Sequence, residues 1–124
     1  MSGEELCEAL RALLESHPNL VRSKAGHVAH AERRRTLDED NIGFEPERTR
    51  HQNLYVEARS VRLTQLSGIK HQRYFAKDYG TTRPNHNLFH KDAFGDVDII
   101  RFEINALWEA VRVVAEVAGM VGRR

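Results

Sequence analysis

The chain has 124 residues and a mass of 14.3 kDa, with 40% hydrophobic and 30% charged residues. That composition describes one ordinary globular domain spanning residues 1–124 and excludes a disordered polar chain. Nineteen Lys and Arg against eighteen Asp and Glu leave a net charge of +1, so neither a uniformly basic protein nor an acidic tail fits the total.

The chain opens on a helix signal. Ser2 and Glu5 have the capping-box spacing, in which the hydroxyl accepts from the amide three residues on and the carboxylate reaches back. Leu6, Leu10, Leu13 and Leu14 then recur at helical intervals, predicting a helix over 3–16 that stops before His17-Pro18. Asn19 is a second cap candidate, and small apolar residues from Leu20 to Ala31 suggest a second helix running to about Thr36. Gly26 weakens that helix by ~1 kcal/mol relative to alanine.

Residues 37–46 are rich in acids and turn formers and read as a loop. Over 46–66, Asn53, Glu57, Ser60 and Thr64 recur on one helical side, with Leu54, Ala58 and Val61 roughly opposite. Helix is the preferred reading there, because a strand over Tyr55–Arg59 alternates poorly. From Val97 to Ala118 apolar residues follow helical spacing, with Asp96 as a cap candidate and Gly119 at the end. A helix of that length, about 23 residues, would be ~35 Å long. Alternation of Ile100, Phe102 and Ile104 keeps a strand over 97–104 as the alternative. The expected fold is therefore mainly α, one helical domain packed on a long C-terminal helix. The alternative is a small α+β domain with strands near 54–63 and 97–104.

A single cysteine, Cys7, rules out an intrachain disulfide or a four-cysteine zinc site, and its place on the apolar side of the first helix predicts a buried thiol. The acidic start and the lack of a long apolar run lead us to expect a cytoplasmic protein with no membrane contact.

Resolved along the chain, the charge is uneven: −3 over 1–21, +4 over 22–36, −5 over 37–47, +6 over 48–83 and −1 over 84–124. The basic stretches hold Arg33, Arg34 and Arg35, then Arg59, Arg62 and Arg73, the latter interleaved with Tyr55, Tyr74, Phe75 and Tyr79. Guanidinium groups fork onto phosphates and exposed aromatic rings stack on unpaired bases. Arg33, Arg34, Arg35, Arg59, Arg62, Arg73 and Tyr74 are thus candidates for contact with RNA or single-stranded DNA. The competing reading is that these charges solvate the surface and pair with the acids while the aromatics fill the core. Basic and acidic stretches on one chain also suit a homodimer or a protein partner. The C-terminal apolar face, with Ile100, Ile104, Leu107, Trp108 and Val111, is the candidate interface.

Seven histidines include the pairs His27/His30 and His86/His90, at spacings that on a helix would place two imidazoles on one face. The glutamate and cysteine partners of known metal patterns are missing, and no phosphate-loop or dinucleotide signature is present, so no metal and no cofactor are expected. Arg83-Pro-Asn-His-Asn-Leu-Phe-His90 resembles the Arg-x6-His motif of the HEPN family of helical, dimeric, metal-independent ribonucleases. The resemblance implies a helical bundle with a final helix after the motif, His90 as general acid/base and Arg83 as phosphate clamp. It covers this one motif, and Pro84 stands where the family usually has a polar residue. The leading expectation is a small non-enzymatic binding or adaptor protein. A homodimeric interaction module and a metal-independent ribonuclease are the alternatives.

Overall fold

The Ser2–Glu5 capping box forms: Glu5 N–H donates to Ser2 Oγ at 3.2 Å, and Ser2 N–H donates to Glu5 Oε1 at 2.9 Å. Helix α1 runs Gly3–Ser16 and buries Leu6, Cys7, Leu10 and Leu14. The computed structural model describes residues 2–28, 31–36, 41–44, 52–75 and 97–119. Six strands follow α1: β1 Leu20–Val28, β2 Ala31–Thr36, β3 Asn41–Phe44, β4 Gln52–Glu57, β5 His71–Tyr74 and β6 Ile99–Ile104. Two short 3-10 turns, Ala58–Ser60 and Leu63–Leu66, link β4 to β5, and helix α2 closes the chain at Leu107–Ala118. The sheet is antiparallel between every neighbour, in the order β1-β2-β3-β4-β6-β5.

The chain is therefore α+β, and the mainly helical expectation is overturned. Where a helix was expected over 19–36, β1 and β2 pair as antiparallel strands, with Leu20 opposite Thr36 and Val28 opposite Ala31. Between Arg22 and His27 the register shifts, β1 advancing five residues against two on β2, and Gly26 lies inside that irregular stretch. Helical spacing loses here to pairing, because β2 also ladders onto β3 and the gain is non-local.

Over 46–66, β4 occupies the first half and 3-10 turns the second. All six residues of β4 are buried, so a central strand covered on both faces shows no alternation to read. Over 97–118, the chain is a strand followed by a helix of 12 residues, about 18 Å rather than ~35 Å long. The break comes at Asn105-Ala106, whose backbone N–H groups both donate to Glu109 Oε1, at 2.8 and 3.1 Å. Glu109 thereby starts α2 in the middle of what the spacing joined into one helix. Strands at 52–57 and 99–104 give the class of the α+β alternative.

Both helices lie on one face of the sheet. Antiparallel partners share a face, so register sorts the side chains. Phe44, Leu54, Phe102 and His71 form one cross-strand row, and Ile42, Val56, Ile100 and Arg73 the next. Their apolar members pack with Leu6, Leu10, Leu14, Ala110, Val113 and Val114 into the core. The ends of the helices are tied together: Asn19 N–H donates to His17 Nδ1 at 3.1 Å, which leaves Nε2 to donate to Gly119 O at 2.6 Å. Asn19 Nδ2 donates to Ala118 O at 2.8 Å. Gly119 ends α2 with φ +85°, a left-handed value that favours glycine.

Candidate functional site

Arg73 is the member of the Ile42–Val56–Ile100 row that falls on β5, the strand beyond β6 at the end of the sheet. The row runs out there into a guanidinium. Asp98, two residues before Ile100, accepts from Arg73 Nη2 at 2.9 Å. The peptide of the same Asp98 accepts from Ala58 N–H at 2.9 Å, fastening the turn after β4 to the start of β6. That turn carries Arg59, whose Nε lies 3.3 Å from Glu57 Oε1. The result is an open notch of about 340 Å³ lined by Ala58, Arg59, Arg73, Val97 and Asp98. Beside it the Arg73 guanidinium lies 5.1 Å from the Phe75 ring centre, a cation–π contact.

The electrostatics are balanced rather than bare. Two guanidiniums face two carboxylates, Glu57 and Asp98. The arginine side chains remain 65% exposed at Arg59 and 44% at Arg73, and Phe75 is also 44% exposed. The Arg73–Asp98 pair, partly exposed on both sides, contributes about 0–1 kcal/mol, whereas the Glu57 carboxylate beside Arg59 is buried. The carboxylates therefore aim the guanidiniums more than they bind them. Each fork has five donors, and Arg73 gives one of them to Asp98. A planar, partly anionic group suits such a place: the forks take oxyanions and the ring takes a flat face.

The sequence-derived candidates divide. Arg59 and Arg73 come together at the notch. Arg62 stands apart, its Nε donating to Glu116 Oε1 at 2.8 Å and its backbone N–H to the same oxygen at 3.2 Å. Tyr74 is only 7% exposed and Tyr55 is buried, so neither offers a stacking face. Phe75, one residue on, does. Arg33, Arg34 and Arg35 are consecutive positions of β2, opposite Gly43, Ile42 and Asn41 of β3, instead of a helical block. Arg83 and His90 lie outside the described residues, as do Tyr79, His30 and His86. His27 is on β1, so the helical geometry supposed for its pairing with His30 does not arise. The sheet also removes the helical bundle that the HEPN resemblance implied.

Of the expected interface, Ile100 and Ile104 are core residues of β6, and Leu107 is partly buried against the same core. Trp108 and Val111 are exposed, 53% and 43%, and Arg112 lies 5.9 Å over the Trp108 ring. Asp98 and Glu57 are the site residues that sequence reasoning missed. Asp98 pairs with Arg73, 25 residues away, and such a pairing leaves no local signal. Among the described residues no cluster of three or more His, Cys, Asp and Glu is placed to hold a metal. No described helix is long and apolar enough to cross a membrane. No family model matches the chain, and no similar curated protein or solved structure was found.

Proposed function

We propose that the chain is a small non-enzymatic binding protein whose arginine–aromatic edge contacts single-stranded nucleic acid, RNA or DNA. One observation carries the reading: Arg59 and Arg73, from different elements, line one notch, and the exposed Phe75 ring stands against Arg73. Guanidiniums that reach the backbone phosphates and a ring that takes a base are the two elements of single-strand binding. The single cysteine, Cys7, is a buried free thiol, which fits a reducing cytoplasm. The test is fluorescence anisotropy of a labelled single strand of about ten nucleotides across a salt series. Affinity falls with salt, and the Arg59→Glu/Arg73→Glu double variant loses roughly tenfold or more. Binding that ignores both salt and the double variant refutes the reading.

Homodimerisation is a second reading, supported by Trp108 and Val111 standing exposed on neighbouring turns of α2. Partly exposed aromatics of this kind are common anchors between subunits. A light-scattering mass above 14.3 kDa at micromolar concentration, returning to 14.3 kDa in Trp108→Glu, is the expected result. A wild-type mass of 14.3 kDa removes the dimer.

A further inference from the structure

We infer that the notch is a subsite for one nucleotide, its phosphate held against Arg59 and Arg73 and its base stacked at Phe75. This rests on the nucleic-acid reading and specifies what the notch contributes to it. Size comes first: about 340 Å³ is at the low end of the ~300–1,000 Å³ found for small-ligand sites, so the notch takes the sugar-phosphate of one nucleotide and not a run of them, with the base lying beside it at Phe75.

Geometry comes second. The guanidiniums arrive from two elements, Arg59 from the turn after β4 and Arg73 from β5, and each is aimed by a carboxylate, Glu57 and Asp98. A phosphate entering between them meets positioned forks. Arg73 in β5 and Phe75 just past its end are two residues apart, and the guanidinium lies 5.1 Å from the ring centre. A base laid on that pair has its own phosphate within reach of the forks.

Selectivity follows from the charge balance. Glu57 and Asp98 offset the two arginines, so inorganic phosphate alone finds little net field in the notch. The stack must add to the ion contact before anything binds well. A nucleoside monophosphate should therefore bind better than either the free nucleoside or inorganic phosphate, with adenosine monophosphate ahead of uridine monophosphate because its ring is larger.

Calorimetric titration of the whole protein with inorganic phosphate, adenosine, adenosine monophosphate and uridine monophosphate tests the assignment. The expected result is at least about tenfold tighter binding of adenosine monophosphate than of phosphate or adenosine. Phe75→Ala should collapse that ratio, whereas Phe75→Tyr, which keeps the ring, should preserve it. Arg73→Ala should weaken nucleotide and phosphate alike. Equal affinity for phosphate and nucleotide, or an unchanged ratio in Phe75→Ala, overturns the subsite. Oligonucleotide binding that is salt-dependent yet unaffected by Phe75→Ala and Arg73→Ala also overturns it and leaves the broader function standing. Mononucleotide binding of the expected pattern, with no tighter binding of the oligonucleotide, supports the subsite and refutes the single-strand function.

Discussion

On the helix-covered face, β4 and β6 contribute Leu54, Val56, Ile100, Phe102 and Ile104, none more than 1% exposed. On the opposite face, the same two strands contribute Asn53, Tyr55, Glu57, Arg101 and Glu103 around a single aliphatic, Ile99. Gln52 is the exception on the first face, buried with its amide 3.5 Å from Cys7 Sγ. Asn53, Tyr55 and Glu57 are buried as well, so the contrast is one of chemistry and not of exposure. Apolar burial stabilises without regard to direction, whereas each buried polar group must find a partner or cost free energy. One face therefore supplies stability, and the other supplies positioned polar groups. The two meet at the ends of the strands. Arg73 ends an apolar row, Glu57 ends the polar side of β4, and Arg59 and Asp98 join them at the notch.

Neighbouring residues of β6 offer the hardest test of that contrast. Phe102→Ala removes a fully buried ring between Leu54 and His71 and should destabilise by about 3–5 kcal/mol. Against a total stability of ~5–15 kcal/mol, that is enough to lower a urea midpoint sharply. Glu103→Ala, one residue on and facing the other way, loses an exposed hydrogen bond from Asn105 Nδ2 at 3.1 Å and a contact with Lys70 at 3.7 Å, and should cost about 1 kcal/mol or less. Equal losses in the two variants would erase the distinction between the faces.

The helical cover of the apolar face is pinned at one end by the His17 ring together with the Asn19 side chain. His17 accepts from Asn19 N–H and donates to Gly119 O, so His17→Ala leaves that carbonyl and that amide, both partly buried, without this partner. The expected loss is about 1–3 kcal/mol in denaturant unfolding. His17→Asn, short but able to donate, should recover part of it. A neutral His17→Ala would mean that apolar packing and the Asn19–Ala118 hydrogen bond hold α1 against α2 without the ring.

Glu57→Gln separates the two roles at the notch. The Glu57 carboxylate is only 4% exposed, and exchanging it for an amide that can still accept from Arg59 should cost about 1–2 kcal/mol of stability. It also leaves Arg59 less neutralised, so single-strand affinity should rise about two- to fivefold in the anisotropy assay. Stability and affinity falling together would mean that Glu57 orders the notch more than it neutralises it.

How much of this was legible depends on where each element finds its partners. Helix α1 reads directly because Ser2 and Glu5 cap it locally and Leu6, Leu10 and Leu14 face one core. Strand β6 carries its own alternation, but the same isoleucines also fit helical spacing into α2, and only Glu109 capping back onto Asn105 and Ala106 separates the two. Strand β4 hides because both of its faces are buried. Strands β1 and β2 hide because their stabilisation lies in the ladder with β3. At the site, arginine and aromatic content was legible as a class of chemistry. Which members meet was not, because β6 enters between β4 and β5 from far along the chain. Tyr74 and Phe75 show the limit most sharply. Tyr74 ends β5 buried and Phe75, just past the strand, is exposed, and composition cannot say which ring is the outer one.

The smallest expected effect concerns the rim of the apolar face, where Arg62 joins the link after β4 to Glu116 on α2. The hydrogen bond from the Arg62 side chain is the main cause holding the Glu116 carboxyl below the ordinary 4.5, against partial burial, which pushes it up. Glu5 is lowered in the same direction, first by the Ser2 backbone N–H. A carboxyl with a lowered folded pKa binds fewer protons folded than unfolded as pH passes through this range. Its contribution is therefore fully present above 4.5 and is lost as pH falls through the lower folded value. Glu116→Gln should then be slightly less stable than wild type near pH ~7, and the gap should close in acid, once pH falls below the lowered folded value and Glu116 is protonated. Urea midpoints at neutral pH and in acid measure it. A gap that persists in acid would show that Glu116 works there through the shape of its contact with Arg62, and that charge contributes nothing to fastening the helical layer.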